Sequence, residues 1–316
     1  MGVIECLSAG YRFLGRRAEL LVIPIAIDLL LWFAPQFSVA PLTAQMAIWY
    51  EGMGAVAGSS PDMVQMSRQM ADSLRELGQG FNLLSALVSS GLMHVPSLMA
   101  TGVGSASARV LEVSSVSEAV VLWLVFSILG LLIGVIYLGL LARSLPIGRQ
   151  ANIPAGLFAG NVLRQWIRVL AFVLLVALAL TAVYLPISFG IGLFMLVSPG
   201  LGSAMAVASG ALILIVFFYM YFTTSGIVMD NLPVTAAMMR SVRLVRENFW
   251  STLGFFAVST LISLGITLVL VQLAVFALWA RLFAIVLNAY VGTGLAMALL
   301  VFYRTRQLRR ETELAG

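Results

Sequence analysis

Asp28 stands in the run PIAIDLLLWF, an ionisable side chain four residues after Pro24 with apolar neighbours on either side. In hydrocarbon such a group costs about 3 kcal/mol or more unless it is neutral or paired. It therefore has two readings: a site that handles a proton or ion, or a structural group held protonated or hydrogen-bonded. Gln272 and Asn288 occur in later apolar runs and are the polar residues available to meet it. His94 is the single histidine, so a bis-histidine haem site within the chain is excluded, and Ser89, Ser90 and Ser97 are its only hydroxyl neighbours. A hydrolytic site there lacks a third group and an oxyanion arrangement. The single cysteine, Cys6, forms neither an intrachain disulfide nor a cysteine-cluster metal site. With no glycine-rich phosphate loop, zinc motif or CxxC pair, the sequence predicts no catalytic site, no metal and no cofactor.

The elements that must carry these residues follow from composition. The chain has 316 residues, 61% hydrophobic and 10% charged, against roughly a quarter charged in soluble domains, which places it in a bilayer. A helix needs about 20 apolar residues to cross. Six stretches qualify, near 19–37, 119–141, 166–187, 205–226, 250–271 and 281–303. The fold class expected is an all-α polytopic membrane protein, three two-span hairpins with amphipathic elbow helices on the cytoplasmic side. Nothing favours cleavage of the first apolar run as a signal, since Pro41 directly follows Ser38-Val39-Ala40.

All 18 basic residues are arginines. In this topology fourteen fall on the side of the termini and four, Arg68, Arg75, Arg109 and Arg281, on the other. Basic residues bias short loops to the cytoplasm, so both termini are expected there, in a bacterial inner membrane. The arginines border apolar runs rather than forming a basic domain, which argues against a nucleic-acid partner.

Residues 38–117 form the one sizeable external insertion. Within it Met63, Met66, Met70, Leu74, Leu77 and Phe81 recur every three or four residues, with Arg68, Asp72, Arg75 and Glu76 elsewhere. That is an amphipathic helix, whose stripe packs on the protein's own outer face or docks to a membrane or partner. The polar-rich segment 83–103 is expected to be interfacial or re-entrant rather than spanning.

Asn152-Ile153-Pro154 and Asn231-Leu232-Pro233 each precede an amphipathic stretch and a span, 79 residues apart, with a fainter third copy at GYRFLGRRAELL. This suggests a threefold internal repeat. In the second copy Met238, Val242, Val245 and Phe249 share one helical face, with Arg240, Arg243 and Glu247 on another. A helix lying flat would bury the first face and offer Arg240, Arg243 and Arg246, like Arg164 and Arg168 in the earlier copy, to anionic headgroups. Gly130 and Gly134 in the second span, and Gly202, Ala206 and Gly210 at the start of the fourth, give small-residue faces for close helix packing.

The stretch SVRLVRENFWSTLGFF, the similar elbow at 157–172 and the external FNLLSALVSSGLMHVPSLMA resemble a bacterial group of six-span proteins related to the membrane domains of glycerophosphoryl diester phosphodiesterases. The resemblance implies a membrane domain without the phosphodiesterase chemistry, which belongs to a separate soluble domain rich in histidine and acidic residues. The expected role is a scaffold or accessory subunit that binds membrane lipids and other subunits or itself. The alternative is a transporter or channel for a small solute, lipid or ion.

Overall fold

In hydrocarbon every backbone N–H and C=O must be satisfied within its own segment, so long apolar runs become helices. The structure, a computed structural model, describes residues 2–55, 61–88, 95–102, 109–145 and 155–315. In chain order these form α1 (Val3–Leu14), α2 (Val22–Phe33), β1 (Gln36–Ser38), α3 (Ala40–Gly54), α4 (Pro61–Gly80), β2 (Val110–Glu112) and α5 (Val116–Ser144). There follow α6 (Ala155–Val197), α7 (Pro199–Met220), α8 (Thr223–Asp230), α9 (Val234–Glu247), α10 (Phe249–Phe276) and α11 (Leu278–Ala315). Among the described residues five helices are long and apolar enough to cross a membrane: α5, α6, α7 with its continuation α8, α10 and α11. The chain has an all-α, polytopic membrane fold.

The first expected crossing, 19–37, is not among those five. It is divided into a 3-10 turn at Ala18–Leu21, the 12-residue α2 and the strand β1. Pro35 explains the end of α2, because the residue before a proline is pushed out of the helical region, and Ala34 is extended at ψ 153°. The N-terminal segment instead runs antiparallel to α11 in two helical pieces. Gly10 lies against Ala298, the Tyr11 hydroxyl donates to the Val291 carbonyl at 3.1 Å, and the Arg281 guanidinium sits 5.4 Å from the Trp32 ring. Between Ala298 and Arg281 α11 rises about 25 Å. The close approach needs glycine: a Cβ at Gly10 would lie 2.6 Å from the Ala298 nitrogen.

The two elbows differ in shape. Asn248 separates α9 from α10. At the 79-residue offset its counterpart is Val169, which lies inside the continuous α6. Asn152, Ile153 and Pro154 lie outside the described residues.

Within the insertion, α3 and α4 form an antiparallel hairpin, here called the arm. Its root is closed by the parallel pair β1 and β2 and by Asn82, whose Oδ1 accepts from the Phe37 and Leu84 amides at 3.1 Å each. Small residues make its seam: Ala47 and Ala71 are fully buried, Gly54 abuts Ser67, and Gly78 abuts Thr43. That seam turns the apolar stripe outward. Met66 is 68% exposed and Leu77 57%, and Met70 is exposed too. With about 3.6 residues per turn in antiparallel helices, Met46, Trp49 and Met53 of α3 share this flank. Arg75 occupies the opposite flank, 2.9 Å from Glu51 and 3.2 Å from Asp72. The side chain of Met63 is outside the description.

Arg75 holds the Glu51 carboxyl below its ordinary range by a hydrogen bond and by charge. Because the folded value is depressed, the pair's contribution to stability is present above the unfolded carboxylate pKa and fades as pH falls through the lowered one. Proton titration of Glu51 in the arm should therefore shift upward in Arg75→Ala. Gly10→Val should lower the thermal midpoint in detergent, by an overpacking cost of about 1–3 kcal/mol. Gly265→Ala, with nothing within 4 Å of its Cβ position, should leave the midpoint unchanged or raise it.

Candidate functional site

Asp28 is fully buried in α2, and its carboxylate is satisfied by one short segment of the insertion. The Ser97 hydroxyl donates to Oδ1, the Met99 amide to Oδ1 at 3.0 Å and the Leu98 amide to Oδ2 at 3.1 Å. Ser97 Oγ in turn accepts from the Ala100 amide at 3.2 Å. The aspartate thus caps the 3-10 turn Met99–Thr101, much as an acidic side chain caps a helix start. Pro96 of the same segment meets Gly292 of α11, where a Cβ would collide with the proline ring. Since Gly292 is about 21 Å along α11 from Leu278, the insertion dips between the helices. No crossing helix forms among the described residues of 83–103, only 3-10 turns at Leu83–Leu87 and Met99–Thr101.

The suggested partners of Asp28 are not brought to it. Gln272 is exposed on α10 and Asn288 is buried on α11, and neither bonds the carboxylate. His94, Ser89 and Ser90 lie outside the described residues, so the imidazole is not placed.

A second buried carboxylate, which composition and spacing did not single out, organises the opposite end of the bundle. Asp230 ends α8 with its side chain 4% exposed. Oδ2 accepts from Arg240 of α9 and from the Tyr303 hydroxyl of α11, both at 2.7 Å, and Arg304 lies 3.8 Å from Oδ1. The next residue, Asn231, turns the chain at φ 54°, a left-handed conformation that asparagine tolerates better than most residues. Arg168 of α6 then clamps the turn through the Asn231 carbonyl at 2.5 Å, Asn231 Oδ1 at 2.7 Å and the Leu232 carbonyl at 3.3 Å. Gln165, one turn earlier, donates to the Val228 carbonyl at 3.1 Å. Four helices, α6, α8, α9 and α11, therefore meet at one polar junction. The signal available in the sequence was position: Asp230 directly precedes the Asn-Leu-Pro turn, and Pro233 supplies the extended residue that starts α9.

Of the arginines expected to face headgroups, Arg168 and Arg240 are engaged in this junction, while Arg164 is exposed on α6. Arg243 and Arg246 are exposed and line a cavity of about 670 Å³ beside α9, with Arg310 and Glu247 also in its wall. Among the packing glycines, Gly130 and Gly134 are buried in α5. Gly202 is pressed against Met195 at the α6–α7 turn, Ala206 is half-buried, and Gly210 has nothing within 4 Å of its Cβ position.

Among the described residues no group of three or more His, Cys, Asp or Glu side chains is placed to hold a metal. No family model, curated protein or solved structure matches the chain.

Replacing Asp28 by leucine removes the acceptors of two buried amides, each costing about 1–3 kcal/mol when left unmade. Asp28→Asn keeps one carbonyl acceptor. Hydrogen exchange at the Leu98 and Met99 amides should rise strongly in Asp28→Leu and less in Asp28→Asn. Equal protection in all three proteins would contradict the capping role.

Proposed function

We propose that the protein is a non-catalytic membrane scaffold, an accessory subunit that engages a neighbouring membrane protein through the arm. The observation that carries this reading is the division of the arm into two flanks. One presents Trp49, Met46, Met53, Met66, Met70 and Leu77 to the surroundings, and the other gathers Glu51, Asp72 and Arg75. Methionine and tryptophan give large apolar contact with adaptable shape, and tryptophan is enriched where interfaces concentrate their binding energy. The chemistry that fits is an apolar helix of another subunit. A bacterial inner-membrane setting with the α9 end cytoplasmic agrees with the arginine distribution and with the resemblance to phosphodiesterase membrane domains.

The transporter alternative draws its support from Asp28 and from the internal repeat. That carboxylate accepts from Ser97, Leu98 and Met99, a capping arrangement that supports a structural role for it. The scaffold reading is therefore preferred.

A photoreactive side chain placed at position 66 or 49 in native membranes is the direct test. The expected result is one protein adduct of defined mass, lost when Met70→Glu is added while the bundle's thermal midpoint is unchanged. Adducts with lipid alone, together with a monomer as the sole isolated species, would overturn the scaffold reading.

A further inference from the structure

The cavity beside α9 is one compartment of three that share walls. Towards α11 it adjoins a pocket of about 370 Å³ bounded by Ala236, Arg240, Gln307 and Glu311, with Met239, Arg243 and Arg310 common to both. Towards the bundle it shares Met220 and Met238 with a cleft of about 180 Å³ between α6 and α7. Leu175, Leu180, Val183, Leu212 and Val216 line that cleft, and its two hydroxyls, Tyr184 and Ser209, lie 3.4 Å from each other at the far end. A polar basin thus opens into an apolar slot.

The dimensions and charges of this passage are those of an amphiphile. From Leu175 to Ile187 α6 rises about 18 Å, slightly more than half of a hydrocarbon core of about 30 Å, so the cleft is one leaflet deep. The basin wall carries Arg240, Arg243, Arg246 and Arg310 against Glu247 and Glu311. Arg240 is neutralised by Asp230 at 2.7 Å, and Arg310 has Glu247 at 3.9 Å. Arg243 and Arg246 reach no carboxylate within ion-pair distance among the described residues. Two uncompensated guanidinium groups at the mouth of an apolar slot match a phosphate, which arginine holds through paired N–H donors. Met220 and Met238, at the neck between the compartments, are unbranched side chains that can adapt to a chain passing between them.

The geometry points to a bound anionic phospholipid, its phosphate on Arg243 and Arg246 and one acyl chain in the α6–α7 cleft. The site is separate from the arm and does not depend on the scaffold reading. Ser209 and Tyr184 close the far end of the cleft, so the occupant's chain is expected to terminate there. Because the Asp230 junction fixes α9 against α8 and α11, the basin is preformed and binding needs no rearrangement of α9. Membrane-surface attraction alone would hold anionic lipids loosely around every exposed arginine. A groove that also takes the chain retains one molecule through purification.

The full chain, extracted in a neutral detergent and studied by native mass spectrometry, provides the test. Phosphatidylglycerol and phosphatidylcholine are offered in equal amounts, with inorganic phosphate as the free-anion probe. One phosphatidylglycerol per chain is expected, retained on the order of tenfold less in Arg243→Gln/Arg246→Gln and to an intermediate degree in Arg243→Lys/Arg246→Lys, which keeps the charge and loses the paired donors. Ala179→Phe, which fills the cleft without touching the basin, should lower phospholipid retention and leave the basic residues intact for short-chain anions. Equal retention of the two lipids, or unchanged retention in the glutamine pair, would overturn the site. Displacement of the lipid by inorganic phosphate alone would assign the basin to a free phosphate and overturn the acyl cleft. Arg243 and Arg246 are exposed, so the glutamine pair should keep the parent's helical content, and Ala179→Phe provides an independent variant outside the basin.

Discussion

The buried carboxylate of Asp230 is the constraint on which this end of the structure depends. A charge with 4% of its side chain exposed persists only when its lone pairs are taken, because an unpaired buried ion costs several kcal/mol. Here Arg240 of α9 and Tyr303 and Arg304 of α11 take them, which ties the amphipathic α9 to a helix already packed in the bundle. Arg168 adds the backbone turn at Asn231. The amphipathic α9 is thereby fixed beneath α6, α8 and α11, and its remaining arginines become walls of a basin.

The same principle operates through Asp28 at a second place with a different result. There the partners are a hydroxyl and two amides instead of cations, so the carboxylate pins an irregular segment of the insertion between helices. Irregular backbone within a helical membrane fold survives where protein supplies its hydrogen bonds. One carboxylate thus joins regular helices, and the other makes a non-helical segment tolerable. Between them lie the long spans, of which α11 is mostly buried and α5, α6, α7 with α8, and α10 mostly face outward.

The membrane class and five of the six expected crossing runs can be read directly from apolar length, because that signal is local and strong. The end of α2 within 19–37 is legible in Pro35, which pushes Ala34 out of the helical region. The arm's amphipathic periodicity was clear, yet which face of α4 is buried was not. Ser67, Ala71 and Gly78 form the seam, and small residues win there because they let α3 approach closely, a pairing that one sequence does not reveal. The role of Asp230 is hidden in the sequence for a related reason: its partners Arg240 and Tyr303 are 10 and 73 residues away, and only the fold brings them together. The comparison of the two elbows carries the same lesson, since a helix ends at Asn248 where its counterpart Val169 lies within a continuous helix.

A double-mutant cycle on Asp230→Asn and Arg240→Gln measures the junction most directly. Residues coupled in one polar network show interaction free energies of about 0.5–3 kcal/mol, and a value above about 1 kcal/mol in thermal or denaturant unfolding is expected here. Losses that add to within about 0.3 kcal/mol would contradict the claim that this ion pair fixes α9 to the bundle.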